Sequence, residues 1–277
     1  MLRTFDRHSL WSNLAPYLGQ PTTADLTRQY VRANLRLPVP LTELWPSQVT
    51  AVPRLFAPGL PNVCVRMPTS AGKTKIAELA ILAQLAQGFP AADMKCVYVA
   101  PFRSLAVEVE QTLRLALRPL GVRVSELYGG FEFTAADRLL IESTQVLVAT
   151  PEKLDAFLRV TPELAGRLRL VIVDEGHIIS PPNLRSLHEA RGLKYEVFLQ
   201  RLVTRCQRSG ARIVFLSAVM PNAEQFAEWI TGGQDGLITS DWRPSRLLLG
   251  EAVWDGRQVD IEYTHADRTP LGHKCFV

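Results

Sequence analysis

The sequence predicts an α/β fold built on a mainly parallel sheet with helices on both faces. From residue 62 onward, short β-branched runs alternate with longer helical patterns, and this alternation is typical of a parallel sheet. The chain has 277 residues, of which 47% are apolar, and this is enough to bury a substantial core. These observations favour one large α/β domain with appendages or two smaller domains, and they argue against disorder.

The spacing of apolar residues predicts the individual strands and helices. The predicted strands lie at residues 63–67, 96–100, 122–127, 146–149, 170–173 and 213–217. The predicted helices, which have apolar residues at three- and four-residue intervals, lie at residues 73–87, 104–117, 135–142, 152–160, 190–205 and 223–230. Right-handed crossovers between parallel strands follow from this alternation.

The two ends of the chain differ from the middle region. A predicted helix at residues 25–35 is followed by repeated prolines, which interrupt regular structure. Near the other end, residues 247–253 and 258–263 alternate apolar and polar side chains and predict extended strands. We therefore expect a helical preface at residues 1–43, the sheet domain at residues 44–244 and an extended segment at residues 245–277.

Bulk properties restrict the function classes only weakly. The formal net charge of +4 permits a nucleic-acid partner without requiring one. The four cysteines are widely spaced and form no CxxC pair, so buried free thiols in a reducing compartment are expected. No run approaches the roughly 18 apolar residues that a membrane-spanning helix needs. A cytoplasmic protein with no membrane partner is the expectation.

The loop after the first predicted strand has the features of a phosphate-binding loop. It leads into a helix that begins at Lys73, and backbone N–H groups in such a strand–loop–helix turn favour an anion. Gly72 allows close approach, Lys73 neutralises the β- and γ-phosphates of ATP, and the Thr74 hydroxyl can ligate Mg²⁺. Met67 stands where the general pattern has glycine, and a chance tight turn is the alternative. The predicted ATP-binding residues of the loop are Pro68, Thr69, Ser70, Ala71, Gly72, Lys73 and Thr74.

Two acidic residues follow an apolar run about a hundred positions later. Asp174 and Glu175 come directly after residues 170–173, and the carboxyl end of a parallel strand faces the crevice where such sheets bind ligands. Asp174 is predicted to hold Mg²⁺ through water, beside the Thr74 hydroxyl, and Glu175 to orient or deprotonate the attacking water. A solvated strand end is the alternative. The predicted catalytic residues are therefore Lys73, Asp174 and Glu175.

Together these segments resemble the first RecA-like domain of superfamily two helicases, with residues 174–177 as the DExH box. The chain is most similar to the superkiller-like group. Further segments in the order of that group lie at residues 44–48, 101–106, 149–154, 217–219 and 240–244. The resemblance implies a RecA-like P-loop NTPase fold, a three-layer sandwich, and an ATPase or helicase that depends on nucleic acid.

The resemblance also implies roles for residues outside the phosphate loop. Gln48 is expected to bind the adenine edge. The segments like motifs Ia and Ib are expected to contact the backbone of a single or partly duplex nucleic-acid strand through Arg103, Ser104, Thr150 and Lys153. Gly129 and Gly130 match a loop that closely approaches the same nucleic-acid backbone; an ordinary turn is the alternative. The residues expected to couple the nucleotide site to a neighbouring domain are His177, Ser217 and Ala218.

Two features depart from the pattern of the group. Val219 stands where motif III usually has threonine, and this weakens the expectation of strand separation more than that of ATP binding. Nothing after Arg243 resembles motifs IV to VI, which supply an arginine worth about a thousandfold in phosphoryl transfer. We therefore expect hydrolysis to need a second RecA-like domain, in cis or in trans.

Two other functions stay open at this point. A non-hydrolysing nucleotide- or nucleic-acid-binding scaffold of a repair or defence complex would fit Val219 and the lack of a finger arginine. A small-molecule kinase would share the phosphate loop, but it has no use for Gln48 or for the segment at residues 149–152. A zinc site at His177 is disfavoured because no second histidine or cysteine lies at ligand spacing.

Overall fold

The computed structural model describes most of the chain in two compact units, Met1–Asp241 and Trp242–Val277. The described residues are 6–18, 24–87, 95–127, 134–178, 187–218, 220, 222–245, 249–254, 256–264 and 270–276. No helix among them is long and apolar enough to cross a membrane.

A seven-stranded sheet forms the centre of the first unit. Its strands are β1 (Val63–Arg66), β2 (Lys95–Val99), β3 (Val124–Leu127), β4 (Val146–Ala149), β5 (Leu168–Val173), β6 (Arg212–Ser217) and β7 (Leu237–Thr239). The order across the sheet is β3-β4-β2-β5-β6-β1-β7, and every neighbouring pair is parallel. The predicted α/β fold with a parallel sheet is confirmed.

Helices connect these strands and precede the first of them. They are α1 (Leu10–Leu18), α2 (Ala24–Leu35), α3 (Pro46–Leu55), α4 (Lys73–Ala86), α5 (Arg103–Leu117), α6 (Ala135–Ser143), α7 (Pro151–Val160), α8 (Glu163–Arg167), α9 (Leu187–Ser209) and α10 (Ala223–Thr231). The helices predicted from apolar spacing agree with this list within a few residues at each end.

The core consists of two apolar layers, one on each face of the sheet. Because successive strand side chains point to opposite faces, Tyr98 of β2 packs in one layer and Val97 in the other. Helices α1 to α5 contribute to the first layer and helices α6, α7, α9 and α10 to the second. The central strands are mostly apolar, with charged residues near their ends, because both faces are covered. This is the predicted three-layer arrangement.

The prolines before β1 do not prevent helix formation, contrary to what their spacing suggests. Pro46 occupies the first turn of α3, where its lack of an N–H group costs nothing, and Pro53 falls near the end of the same ten-residue helix. Helix α1 and strand β7 were likewise not predicted, because α1 contains Pro16, which usually interrupts a helix, and β7 has only three residues. The helix predicted at residues 25–35 corresponds to α2.

The second unit contains a three-stranded antiparallel sheet. Its strands β8 (Leu249–Trp254), β9 (Val259–Thr264) and β10 (Pro270–Phe276) pair in the order β10-β9-β8. The extended strands predicted at residues 247–253 and 258–263 are confirmed as β8 and β9, and β10 is an addition.

Candidate functional site

The loop between β1 and α4 lies at the carboxyl edge of the sheet. Met67 donates its backbone N–H to the Ser217 oxygen (3.0 Å), which continues the pairing of β1 with β6 into the loop. Ser70 and Gly72 both have left-handed backbone conformations, with φ of 65° and 82°. Gly72 is the N-cap of α4 and no side chain caps that helix end. The first N–H groups of α4 can therefore face an anion.

Helix α3 supports this loop from behind. Ser47 donates its hydroxyl to the Ala71 oxygen (2.9 Å), and the Gln48 amide donates to the Gly72 oxygen (3.4 Å). The φ of Gly72 favours glycine, and a Cβ atom there would also displace the Gln48 amide from the loop. Gln48 is thus placed directly against the phosphate loop, while its contact with adenine stays a prediction.

The acidic pair lies at the end of β5, at the same edge of the sheet. Asp174 is 4% exposed; its carboxylate accepts hydrogen bonds from the Tyr98 hydroxyl and from the Glu175 backbone N–H. Burial raises the pKa of the Asp174 carboxyl above its ordinary value, and the Glu175 carboxylate adds to this rise. The Tyr98 hydrogen bond and the charge of Lys73 act on this pKa in the opposite direction.

Lys73 and Glu175 meet across about a hundred residues of sequence. The Lys73 Nζ atom lies 3.7 Å from Glu175 Oε1, and the two side chains are 8% and 20% exposed. Glu175 has a φ of 50°, which is uncommon for a residue with a side chain and marks a constrained position. The structure therefore brings together the cation and the acid that the sequence predicts as catalytic residues.

Strand β6, which runs between β1 and β5, shapes the acidic turn. A Cβ atom at Gly176 would collide with the ring of Phe215, so the third residue of the DExH-like segment must be glycine. Ser217 is buried at the end of β6, where it pairs with Arg66 of β1, and Ala218 follows at the surface of the loop with a half-buried side chain. Of these two predicted coupling residues, Ser217 contacts the loop through its backbone oxygen, which accepts from the Met67 N–H.

The oxygen donors at this edge fit Mg²⁺. Thr74 supplies a hydroxyl in the first turn of α4, and Asp174 supplies a carboxylate. Within the described residues, no group of three or more histidine, cysteine, aspartate or glutamate side chains could hold a metal ion. Mg²⁺ is usually bound by one or two protein oxygens together with the phosphates of a substrate, whereas zinc prefers nitrogen and sulfur ligands.

The predicted nucleic-acid residues fall into two kinds. Arg103 and Ser104 are exposed at the N-terminus of α5, directly after β2. Thr150 caps α7 by accepting from the Lys153 backbone N–H, and the Lys153 ammonium, 5% exposed, pairs with Asp137 at 3.0 Å. Thr150 and Lys153 thus stabilise α7 and its contact with α6. A phosphate contact by any of these four residues stays a prediction.

Several predicted residues lie outside the described part of the chain. Gly129, Gly130 and Val219 lie outside it, as does the side chain of His177, whose backbone forms part of a short 3₁₀ turn, Gly176–Ile178. Of the cysteines, Cys64, Cys96 and Cys206 are buried free thiols, as expected.

Two tyrosines that no sequence motif indicated hold the acidic turn. Tyr98 donates to the Asp174 carboxylate, and Tyr195 of α9 donates its hydroxyl to the Asp174 backbone oxygen (3.2 Å). Tyr98 is the only side chain of β2 that combines a large apolar ring with a polar tip. Because a buried hydroxyl requires a partner, its presence in a buried strand was a signal for a polar contact.

Comparison with known proteins identifies relatives of one kind. The sequence profile described as DEAD/DEAH box helicase matches residues 45–226. The Hachiman protein HamB of Bacillus cereus is 34% identical over 273 residues, which cover 99% of this chain and 23% of that protein. The ATP-dependent DNA helicase Hel308 of Methanocella arvoryzae is 34% identical over 226 residues, covering 80% of this chain and 27% of that protein. The chain thus spans about a quarter of each of these two relatives.

A third relative and a solved structure agree with these matches. The RQC trigger complex helicase SLH1 of Saccharomyces cerevisiae is 34% identical over 210 residues, covering 68% of this chain and 10% of that protein. The crystal structure of the DUF1998 helicase MrfA superimposes with a TM-score of 0.60 and 20% identity, covering 79% of this chain and 33% of that one. This structural likeness supports the RecA-like fold.

Proposed function

Because the chain belongs to the DEAD/DEAH box helicase family, as its ATP-binding domain, we propose that it binds Mg-ATP and hydrolyses it in response to a nucleic-acid strand. The observation that carries the proposal is the pairing of Lys73 with Glu175, at 3.7 Å, beside the N-terminus of α4. A phosphate-binding helix end, a buried cation and two acids at one sheet edge have the chemistry that phosphoryl transfer to water requires.

Each residue has a distinct role in this reaction. The loop N–H groups and Lys73 bind and neutralise the β- and γ-phosphates. Thr74 and Asp174 would hold Mg²⁺, which supplies further charge neutralisation at the same phosphates. Glu175 orients the attacking water and accepts its proton. Tyr98 keeps the Asp174 carboxylate in position through its hydrogen bond.

Binding of ATP must rearrange the Lys73–Glu175 pair. The Lys73 ammonium lies 3.7 Å from Glu175, and the γ-phosphate of ATP would compete for the same positive charge. When Lys73 contacts the phosphates, the Glu175 carboxylate stays beside the terminal phosphate and can accept a hydrogen bond from water. The contact with Lys73 thus keeps the general base close to its place of action.

A second RecA-like domain and a nucleic-acid strand complete the proposal. The second domain would supply the arginine that stabilises the transferring phosphoryl group. The exposed Arg103 and Ser104 are the residues most accessible to the backbone of a single strand, and we propose that they bind it.

The proposed boundaries are 1–43 for the preface, 44–244 for the motor domain and 245–277 for the connecting segment. Buried free cysteines support a reducing compartment such as the cytoplasm.

The test is ATP turnover with the second domain supplied. The chain is mixed with a second RecA-like domain of a relative's type, and turnover is measured with and without single-stranded DNA or RNA. Lys73→Ala and Glu175→Gln should each abolish the stimulated rate, while Glu175→Gln should keep its affinity for Mg-ATP in calorimetry. Unchanged turnover in both variants would defeat the proposal.

One alternative has a different signature in the same experiment. A non-hydrolysing scaffold would bind Mg-ATP normally and show no turnover with any partner. The cluster at Lys73 and Glu175 favours the enzyme, since a scaffold needs no acid beside the phosphate-binding lysine.

A further inference from the structure

A large cavity lies at the carboxyl edge of the sheet, in the second apolar layer. Its volume is about 980 Å³, and its walls come from the segment after β2, the whole length of α7, the turn after β5 and helix α9. The lining residues include Phe102, Asp155, Arg159, Leu193, Lys194 and Arg201. This volume is at the upper end of the roughly 300–1,000 Å³ of ligand pockets, so it admits a base with its sugar.

One wall of the cavity carries an exposed aromatic ring. Phe102 is 46% exposed, although its size and apolarity favour burial, and it directly precedes Arg103 and Ser104 at the N-terminus of α5. Leu193 of α9 is a further lining residue that is half exposed. A nucleotide whose phosphate lies at the α5 N-terminus would have its base within reach of the Phe102 ring.

The rim of the cavity carries more positive than negative charge. Arg159 of α7 and Arg201 of α9 both donate to the Asp155 carboxylate, the second at 2.8 Å, so one acid holds two guanidinium groups in place. Lys194 adds a third cation, and Glu152 is the other acid of the lining. Guanidinium planes and aromatic rings are the groups on which single-stranded bases stack.

We propose that this cavity binds a nucleobase of the strand whose backbone contacts Arg103 and Ser104, with Phe102 as the stacking residue. The inference rests on the proposed function. It adds a site for a base to the backbone track, which is the proposed contact of Arg103 and Ser104 with the nucleic-acid backbone. A helical protein segment is the other occupant that an apolar groove can take. The aromatic ring next to the phosphate-binding residues and the cationic rim favour the nucleotide.

The test compares two fluorescent strands of equal length and charge. One is an oligothymidylate of about 12 nucleotides, and the other has abasic sites throughout. Binding to the 277-residue chain is followed by fluorescence anisotropy at one fixed salt concentration. The wild type should bind the base-containing strand about 5- to 100-fold more tightly, which corresponds to one stacked base.

Variants assign that preference to the cavity. Phe102→Ala should bring the two strands to equal affinity, and Phe102→Trp should keep the preference. Leu115→Ala is the matched control, because Leu115 is an exposed apolar residue of α5 away from the cavity, and it should behave as the wild type.

The outcomes separate this inference from the proposed function. Equal affinity of the wild type for both strands, or an equal loss for both in Phe102→Ala, would overturn the base site and leave the ATPase proposal standing. A protein-binding groove would give the first of these results. Absence of binding to either strand would overturn the base site and the backbone track together, whereas the turnover experiment decides the ATPase independently.

Discussion

The hydrogen bond from Tyr98 to Asp174 gives the sharpest prediction at the nucleotide site. Tyr98 is fully buried, and its hydroxyl is a donor to the carboxylate that would hold Mg²⁺. Tyr98→Phe removes this hydroxyl and little else. A hydrogen bond to a charged group contributes about 1.5–3 kcal/mol, and here it favours the ionised over the protonated carboxyl. At about 1.4 kcal/mol per factor of ten, the variant should bind Mg²⁺ at least about tenfold more weakly, in the presence of ATP, at a pH where protons compete for the carboxyl.

The loss should depend on pH in a defined direction. Mg²⁺ requires the ionised Asp174, and the Tyr98 hydrogen bond lowers a pKa that burial has already raised. Without that hydrogen bond the pKa rises further, so protons compete with the metal up to a higher pH. The difference between Tyr98→Phe and the wild type should therefore be largest under acidic conditions and should narrow as the pH rises.

Calorimetric titration of Mg²⁺ into the chain with ATP, at a series of pH values, measures both effects. Tyr195→Phe is the matched control, because it removes a hydroxyl that bonds to the Asp174 backbone oxygen and not to the carboxylate. It should lose stability without shifting the pH profile. Equal Mg²⁺ affinity of Tyr98→Phe and the wild type at every pH, or the same profile for both variants, would refute the reasoning.

Three further changes test the fold around the site. Gly72→Ala should lower the free energy of unfolding by more than Gly59→Ala does, as measured by denaturant titration. Gly59→Ala costs about 1–2 kcal/mol for its left-handed φ alone, because no atom lies within 4 Å of the added Cβ. Asp174→Asn should raise the melting temperature of the chain without nucleotide at neutral pH. The pKa of this carboxyl is raised in the folded state, so its ionisation lowers the free energy of unfolding, and asparagine removes that effect. An unchanged melting curve would contradict this. Asp137→Ala should lower the free energy of unfolding by about 1 kcal/mol or more, because it removes the ion pair with Lys153 and the hydrogen bond from the Thr134 backbone N–H at the start of α6. An unchanged free energy of unfolding would show that these contacts are not structural.

The features that the sequence could predict are those that contiguous residues determine. The phosphate loop, the acidic strand end and the alternation of strands and helices each occupy a short stretch. A general rule for parallel sheets then places the ends of β1 and β5 at one edge. This is why the approach of Lys73 to Glu175 was foreseeable although the two are far apart in the chain.

The features that escaped prediction depend on contacts between distant segments. The packing of Gln48 against Gly72 requires the position of α3 relative to α4, and the pairing of Lys153 with Asp137 requires that of α7 relative to α6. Neither position follows from periodicity. Lys153 is an example. Its motif predicts a surface cation, whereas the structure shows a side chain that is 5% exposed.

The most direct test of the central claim is a crystal structure of the chain with Mg²⁺ and a non-hydrolysable ATP analogue. The account predicts that the Lys73 ammonium leaves Glu175 and contacts the β- and γ-phosphates, with the metal ion between the Thr74 hydroxyl and the Asp174 carboxylate. A nucleotide bound elsewhere, with the Lys73–Glu175 pair intact, would contradict it.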